Sequence, residues 1–327
     1  MLSLALPPLA DVLAAHDLTG IAEEPLPNDG WSGARLTRLT SGDERFVLKR
    51  DSLAADWIAR ATLDGPILRE AWFAAAYPDL PPPARAPYLG VGRDGDGFGL
   101  LMPDLSGVLF DWSRPIEPAQ LDAVLEALRA LHNAPVPAAL IDGAPWCPLR
   151  ERVLLISRPA LERAGPTRDA VGGRILPGWE AFDHLAPREA RNLVASLSAE
   201  PLPLLEALGR RPQRFLHGDL KLANAGIAVD GRVELVDWQM VMLAPPDVEL
   251  GWFLAANVAT LPLPTDDVLA RYDPAADLEL AWIVGLLLRG WRKGYDADAG
   301  LVHPSGMSAG DDLALWSRRA VAAARAL

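Results

Sequence analysis

Residues 215–239, FLHGDLKLANAGIAVDGRVELVDWQ, constrain this chain more than any other stretch. Asp219 is followed five residues later by Asn224 and thirteen beyond that by Asp237. Gly226 to Val229 and Arg232 to Val236 read as two short strands about an Asp230-Gly231 turn, a strong hairpin signal. Such a hairpin would hold Asn224 and Asp237 at a fixed separation. Asp219, in a loop after the apolar Phe215 and Leu216, can accept the proton of an attacking hydroxyl. Asn224 and Asp237 supply hard oxygen ligands for Mg²⁺, which keeps several waters and needs few protein ligands. This is the layout of a magnesium-dependent phosphoryl-transfer site.

HGDLKLAN at residues 217–224, followed by VDWQ at 236–239, resembles the catalytic and metal loops of the aminoglycoside phosphotransferase and choline kinase-like family of small-molecule kinases. Eukaryotic protein kinases place Arg after the His and Phe-Gly after the metal Asp. This chain has Gly218 and then Trp238-Gln239, departures that favour the small-molecule branch. The resemblance implies an α+β, bilobal protein-kinase-like fold. Residues 1–104 would form a nucleotide-binding lobe of antiparallel sheet with a helix, and residues 105–327 a larger, mainly helical lobe carrying the catalytic loop and the acceptor site. It implies ATP as donor, Mg²⁺ on Asn224 and Asp237, Asp219 as base, and Lys221 reaching the γ-phosphate as the equivalent protein-kinase Lys does. His217 and Gly218 read as structural, the Gly permitting close backbone approach.

The N-terminal third supplies candidates for the nucleotide side. Leu9, Val12 and Leu13 predict a short helix ending near Gly20. The turn Asn28-Asp29-Gly30-Trp31-Ser32-Gly33 offers backbone N–H groups and the Ser32 hydroxyl to phosphate oxygens. Arg35 to Thr40 and Arg45 to Arg50 then predict a hairpin whose second strand carries Lys49. Only three lysines stand against 28 arginines, and two of the three, Lys49 and Lys221, fall where such a site wants an ammonium. By resemblance Lys49 bridges the α- and β-phosphates. It needs a carboxylate to hold it, and Glu70 is the natural candidate: Ile67, Glu70, Ala71 and Ala74 share one helix face. Asp51 to Ala61 reads as a further helical piece, residues 78–87 as an extended proline-rich connection, and Tyr88 to Val91 and Phe98 to Met102 as strands. GLLMPDLSG resembles the family's hinge, where the Pro103 carbonyl and the Leu105 N–H would meet adenine.

Beyond the hinge, Leu121, Val124, Leu125, Leu128 and Leu131 form a helical stripe broken by Pro135, and His132 reads as a packing or capping residue. Leu149 to Arg163 and Arg188 to Leu208 predict helices around a Gly/Pro-rich middle with Gly172, Gly173 and Pro177. APPDVELGWFL resembles the family's segment after the metal loop. Asp247 there corresponds to the acidic residue that buttresses the catalytic loop, and Glu249 stands nearby as a looser match.

A net charge of -12 disfavours nucleic acid or an anionic membrane as partner and suits a small-molecule hydroxyl acceptor that is cationic or neutral. From Met240 to Leu315 eleven Asp or Glu stand against four Lys or Arg. If they lined the acceptor pocket an amino-bearing substrate would gain, though solvated helix faces explain them as well. Trp238, Trp252, Trp282 and Trp291 could cage a quaternary ammonium, with core packing as the alternative. Cys147 as the one cysteine, an N-terminus without a basic leader, and the absence of a long apolar span predict a cytoplasmic protein, a monomer or weak dimer. Aminoglycosides, other amino sugars, sugars and choline-like alcohols all stay open as acceptors. A catalytically silent nucleotide-binding relative and, behind it, a protein kinase are the competing readings.

Overall fold

The computed structural model describes residues 5–27, 32–65, 68–77, 79–136, 143–164 and 172–327. The first four residues of the Asn28–Gly33 turn, and Ile67, lie outside the described residues.

The alternation of apolar residues in the first third produces one antiparallel sheet. β1 (Glu23–Leu26), β2 (Arg35–Ser41), β3 (Glu44–Asp51), β5 (Gly90–Asp94) and β6 (Gly97–Pro103) lie in the order β1-β2-β3-β6-β5. Because strand side chains alternate between faces, Leu48 and Leu101 point one way and Val47, Leu100 and Met102 the other. The first set packs with Leu9 and Val12 of α1 (Leu9–Ala15), and the second with Leu68, Ala71 and Ala74 around α3 (Arg69–Ala76). Lys49 shares the face of Val47, the face α3 covers. The predicted helix over Asp51 to Ala61 shrinks to α2 (Trp57–Ala61), since β3 continues through Asp51. The Asp56 carboxylate starts α2 by accepting from the Ala59 N–H at 2.9 Å.

The next elements are mainly helical. α4 (Pro118–Asn133) buries the whole predicted leucine stripe, its start fixed by a reciprocal Glu117/Gln120 capping box. The predicted helix Leu149 to Arg163 divides at Leu155–Ser157 into α5 (Leu149–Leu154) and α6 (Arg158–Ala164). The predicted helix Arg188 to Leu208 divides into α8 (Arg188–Ala199) and α9 (Leu202–Gly209), because Glu200 precedes a proline and leaves the helical conformation, at φ -131° and ψ 87°. The Gly/Pro-rich middle is itself helical, α7 (Gly172–Leu185). Pairwise packing overrides propensity there: a Cβ on Gly178 would sit 2.4 Å from the Trp291 carbonyl oxygen, so glycine sets how closely α7 approaches α12 (Leu280–Asp298). α12 is buried along most of its length, between α7, α10 (Pro246–Asn257) and α13 (Ala309–Ala323). α11 (Thr265–Tyr272) packs on α4. No described helix is long and apolar enough to cross a membrane.

Small strands carry the polar loops between these layers. β7 (Arg214–Leu216) pairs with β10 (Met242–Ala244). The predicted hairpin is β8 (Ala225–Ile227) with β9 (Val233–Leu235), turning through Gly231 at φ +82°. β9 also takes β4 (Ala84–Arg85) as a parallel partner, so the proline-rich connection is tied to the hairpin.

Candidate active site

Strand β7 delivers the chain into the loop 217–224, and burial dictates how that loop is held. His217 accepts from the Asp219 N–H at Nδ1, 3.2 Å away, and Nε2 lies 2.9 Å from the Val236 carbonyl oxygen. An N–H can only donate and a carbonyl can only accept, so the proton sits on Nε2 and the ring is neutral. The imidazole thus links the loop to the strand preceding Asp237, with Trp238 packed against it at 4.4 Å between ring centroids. Gly218 has φ +82°, and a Cβ on it would lie 1.9 Å from the Met240 carbonyl oxygen, so no other residue fits.

The buttress is Glu249, which corrects the expectation placed on Asp247. Glu249 is fully buried; its Oε2 accepts from the His217 N–H at 2.9 Å and its Oε1 from the Gly218 N–H at 2.8 Å. His132 Nε2 donates to the same carboxylate at 3.1 Å, and the Tyr272 hydroxyl holds Nδ1 at 2.7 Å. Burial works against the Glu249 charge, but the bond from His132 and the loop N–H groups outweigh it and keep its carboxyl below the usual range. Asp247 instead pairs with Arg211 at 2.7 Å. Both acids lie in the first turn of α10, but two residues rotate a helical side chain by some 200°, so one facing the loop turns the other away.

The functional candidates converge on one cavity of about 670 Å³ between the sheet and the helices. Asp219 is buried on its edge; Lys221 Nζ lies 3.3 Å from Asp219 Oδ2, and Asn224 Nδ2 donates to the Asp219 carbonyl at 3.0 Å. Lys49 Nζ sits between Glu70 Oε2 at 2.7 Å and Asp237 Oδ1 at 2.8 Å, while the Tyr88 hydroxyl donates to Glu70 Oε1 at 2.6 Å. Burial alone would lower the Lys49 pKa, but Asp237 and Glu70 together drive it well above its usual value, so the ammonium is permanent. Asp237 is likewise pushed up by burial and pulled below the usual carboxylate range by Lys49 and Lys221. It holds φ +70°, a strained left-handed conformation for a non-glycine residue that aims its carboxylate at the cavity.

Ser32, Pro103 and Leu105 line the same cavity. The Ser32 hydroxyl oxygen accepts from the Ala34 N–H at 3.3 Å, and Pro103 closes strand β6 opposite Phe46. Asp104 is tied to Arg38 at 3.0 Å, which fixes the segment between them.

Sequence reasoning passed over three arginines at this site. Arg69 is buried on α3 and donates to the Gln239 carbonyl at 2.7 Å and the Pro145 carbonyl at 2.6 Å, joining the Glu70 helix to the loop after Asp237. Arg152 and Arg289 line the cavity near Asp219. The sequence signal for Arg69 was its place beside Glu70; nothing local marked the other two. Nor do the tryptophans form an ammonium cage. Trp238 stacks on Phe73 at 4.2 Å, Trp282 packs on Trp316 at 4.7 Å, and the ring of Trp252 carries arginine guanidinium groups.

Comparison with solved structures places this architecture among the kinase-like phosphotransferases. Spectinomycin phosphotransferase, in complex with ADP and spectinomycin, superposes with a TM-score of 0.53 at 13% identity, over 95% of this chain and 98% of that one. The GDP complex of an aminoglycoside 2'-phosphotransferase mutant gives 0.50 at 16% identity, over 88% of each chain. Choline kinase LicA from Streptococcus pneumoniae gives 0.47 at 12% identity, over 96% of this chain and 97% of that one. At these identities the likeness is one of fold. By sequence, no curated protein matches. The profile of the Phosphotransferase enzyme family matches residues 24–283, most of the chain. The chain therefore belongs to that family, and is a small-molecule phosphotransferase.

Proposed function

We propose that this enzyme transfers the γ-phosphoryl group of ATP to a hydroxyl of a small molecule, with Mg²⁺ held by Asn224 and Asp237. The observation that carries the reading is the convergence of Lys49, Glu70, Asp219, Asn224 and Asp237 on one cavity from segments nearly 190 residues apart. In the reaction the acceptor oxygen attacks the γ-phosphorus, the bond from that phosphorus to the bridging oxygen breaks, and ADP leaves with the electron pair. The acceptor proton passes to the Asp219 carboxylate. Such transfer depends on positioning and charge neutralisation more than on covalent chemistry.

Each residue has one task in this scheme. Lys49, braced by Glu70, binds the α- and β-phosphates, and Lys221 neutralises charge at the γ-phosphate. Ser32 contributes a hydroxyl to the phosphate loop. The Pro103 carbonyl and Leu105 N–H face adenine, at a lobe boundary we set between residues 104 and 105. The donor set suits the metal: the Asn224 amide nitrogen is spent on Asp219, which turns Oδ1 the other way, and Asp237 is an ionised carboxylate. Mg²⁺ there would supply charge neutralisation on the phosphates. Cys147 is buried and free, in keeping with a reducing, cytoplasmic setting.

The test is ADP release from Mg-ATP against a panel of hydroxyl acceptors, with direct Mg-ATP binding measured alongside. Asp219→Asn should abolish acceptor-dependent release while nucleotide binding stays nearly intact, and Asp237→Ala should weaken Mg-ATP binding. Unchanged turnover in Asp219→Asn would remove it from the mechanism. Equal Mg-ATP affinity in Asp237→Ala would remove that residue from the metal site.

A further inference from the structure

Two guanidinium groups at the Asp219 end of the cavity, Arg152 fully buried and Arg289 partly buried, make no ion pair among the described residues. Arg152, on α5, is fully buried; its Nε donates to the Gly218 carbonyl at 2.6 Å, and its Cζ lies 4.8 Å from the centre of the Trp252 ring. Its Nη1 and Nη2 are buried with no hydrogen-bond partner among the described residues. Arg289, on α12, stands over the same ring at 5.4 Å, and its Nε is likewise buried without a partner among them.

Among the described residues, the carboxylates that line the cavity are committed elsewhere. Glu70 and Asp237 share Lys49, Asp104 holds Arg38, and Asp219 faces Lys221. Asp296, on the same helix as Arg289, is held by Arg292 Nε, 2.8 Å from each of its oxygens. Of the acid-rich segment from Met240 to Leu315, the described residues lining the cavity are Met240, Trp252, Ala256, Asn257 and Arg289, with no carboxylate. The condition under which an amino-bearing acceptor would gain is therefore not met.

Leaving a buried charged donor unmatched is costly, and native proteins rarely do so outside functional sites. Burial lowers the pKa of both groups, that of Arg289 to about 10, as expected where nearby carboxylates such as Asp219 offset the desolvation only in part. A guanidinium fork is matched by a planar or tetrahedral oxyanion, which accepts two parallel N–H bonds.

We infer that the acceptor is an anion: a small hydroxyl compound whose carboxylate or phosphate group binds Arg152 and Arg289 while its hydroxyl meets Asp219. The assignment rests on the phosphotransferase reading of the same cavity and narrows it. Trp252 backs the two arginines and holds them by cation–π contact. A cationic acceptor at this end would meet two fixed positive charges.

The test uses the full chain loaded with Mg-ADP, titrated in a calorimeter with glycerate, a carboxylate, and glycerol 2-phosphate, a phosphate, against glycerol and choline as neutral and cationic controls. At least one of the two anions should bind saturably and more tightly than both controls, and which one does so names the oxyanion. Arg289→Met, whose guanidinium makes no backbone bond among the described residues, should weaken that binding by about tenfold to a hundredfold, and Arg289→Lys should restore part of it. Mg-ATP affinity should be unchanged in both variants. Failure of both anions to bind, tighter binding of choline or glycerol, or equal anion binding in Arg289→Met overturns the assignment while leaving the phosphotransferase reading standing. Failure of wild type to bind Mg-ATP strikes that underlying reading instead.

Discussion

Glu249→Gln is the change that most directly tests how the loop 217–224 is held. In wild type one carboxylate accepts three hydrogen bonds, from the His217 and Gly218 N–H groups and from His132 Nε2. The amide of Gln keeps a single oxygen. With that oxygen toward His217 and His132, its NH₂ faces the Gly218 N–H, donor against donor. One charge-assisted bond worth about 1.5–3 kcal/mol is lost, and the other two fall by roughly half when the acceptor becomes neutral. Together these losses come to about 4 kcal/mol, a large part of the roughly 5–15 kcal/mol that stabilises a folded domain. Because both N–H groups lie next to Asp219, turnover should fall further than Mg-ATP binding. Urea denaturation supplies the stability change and ADP release the activity. A variant that unfolds within about 1 kcal/mol of wild type, with unchanged turnover, would refute the idea that this carboxylate organises the loop.

Gly218→Ala combines a positive φ, which costs an L-residue about 1–2 kcal/mol, with a Cβ 1.9 Å from the Met240 carbonyl oxygen. It should destabilise the protein and suppress turnover together, as denaturation and ADP release would show; wild-type values for both would mean that the loop relaxes freely. Asp247→Asn tests the neighbouring acid through pH. Burial raises the Asp247 pKa from 3.8 to about 6, only partly offset by Arg211, so the folded state binds this proton more tightly than the unfolded chain. The resulting stability is fully present below about pH 4 and lost as pH rises through about 6, some 3 kcal/mol in all. Melts of wild type and variant from pH 4 to 7 should therefore diverge in favour of Asp247→Asn as pH rises, and parallel curves would contradict the shift.

Much of the site was legible because its chemistry is written locally. Asp219, Asn224 and Asp237 stand in one short stretch, and the Asp230-Gly231 turn announced the hairpin between them. Lys49 and Glu70 could be paired because strand alternation gives the face of one and helical periodicity the face of the other. Propensity failed where packing overrode it, as in α7, whose glycine follows a proline that argued against a helix yet allows α12 to approach. It also failed at Asp247 and Glu249, where both residue types were right and only the helix's rotation against the loop chose between them.

The sequence by itself determined that this chain carries two carboxylates, an amide and an ammonium, Asp219, Asp237, Asn224 and Lys49, at the spacing on which we base the proposed phosphoryl-transfer roles. Covalent spacing and side-chain chemistry suffice for that. Only the tertiary structure decided what surrounds them. Arg69, Arg152 and Arg289 come from three separate helices and acquire meaning when packing brings them to Gln239, Gly218 and Trp252. The sign of the charge around an acceptor depends on which side chains burial leaves without a partner. Net composition, acidic here, averages over the surface and does not report it.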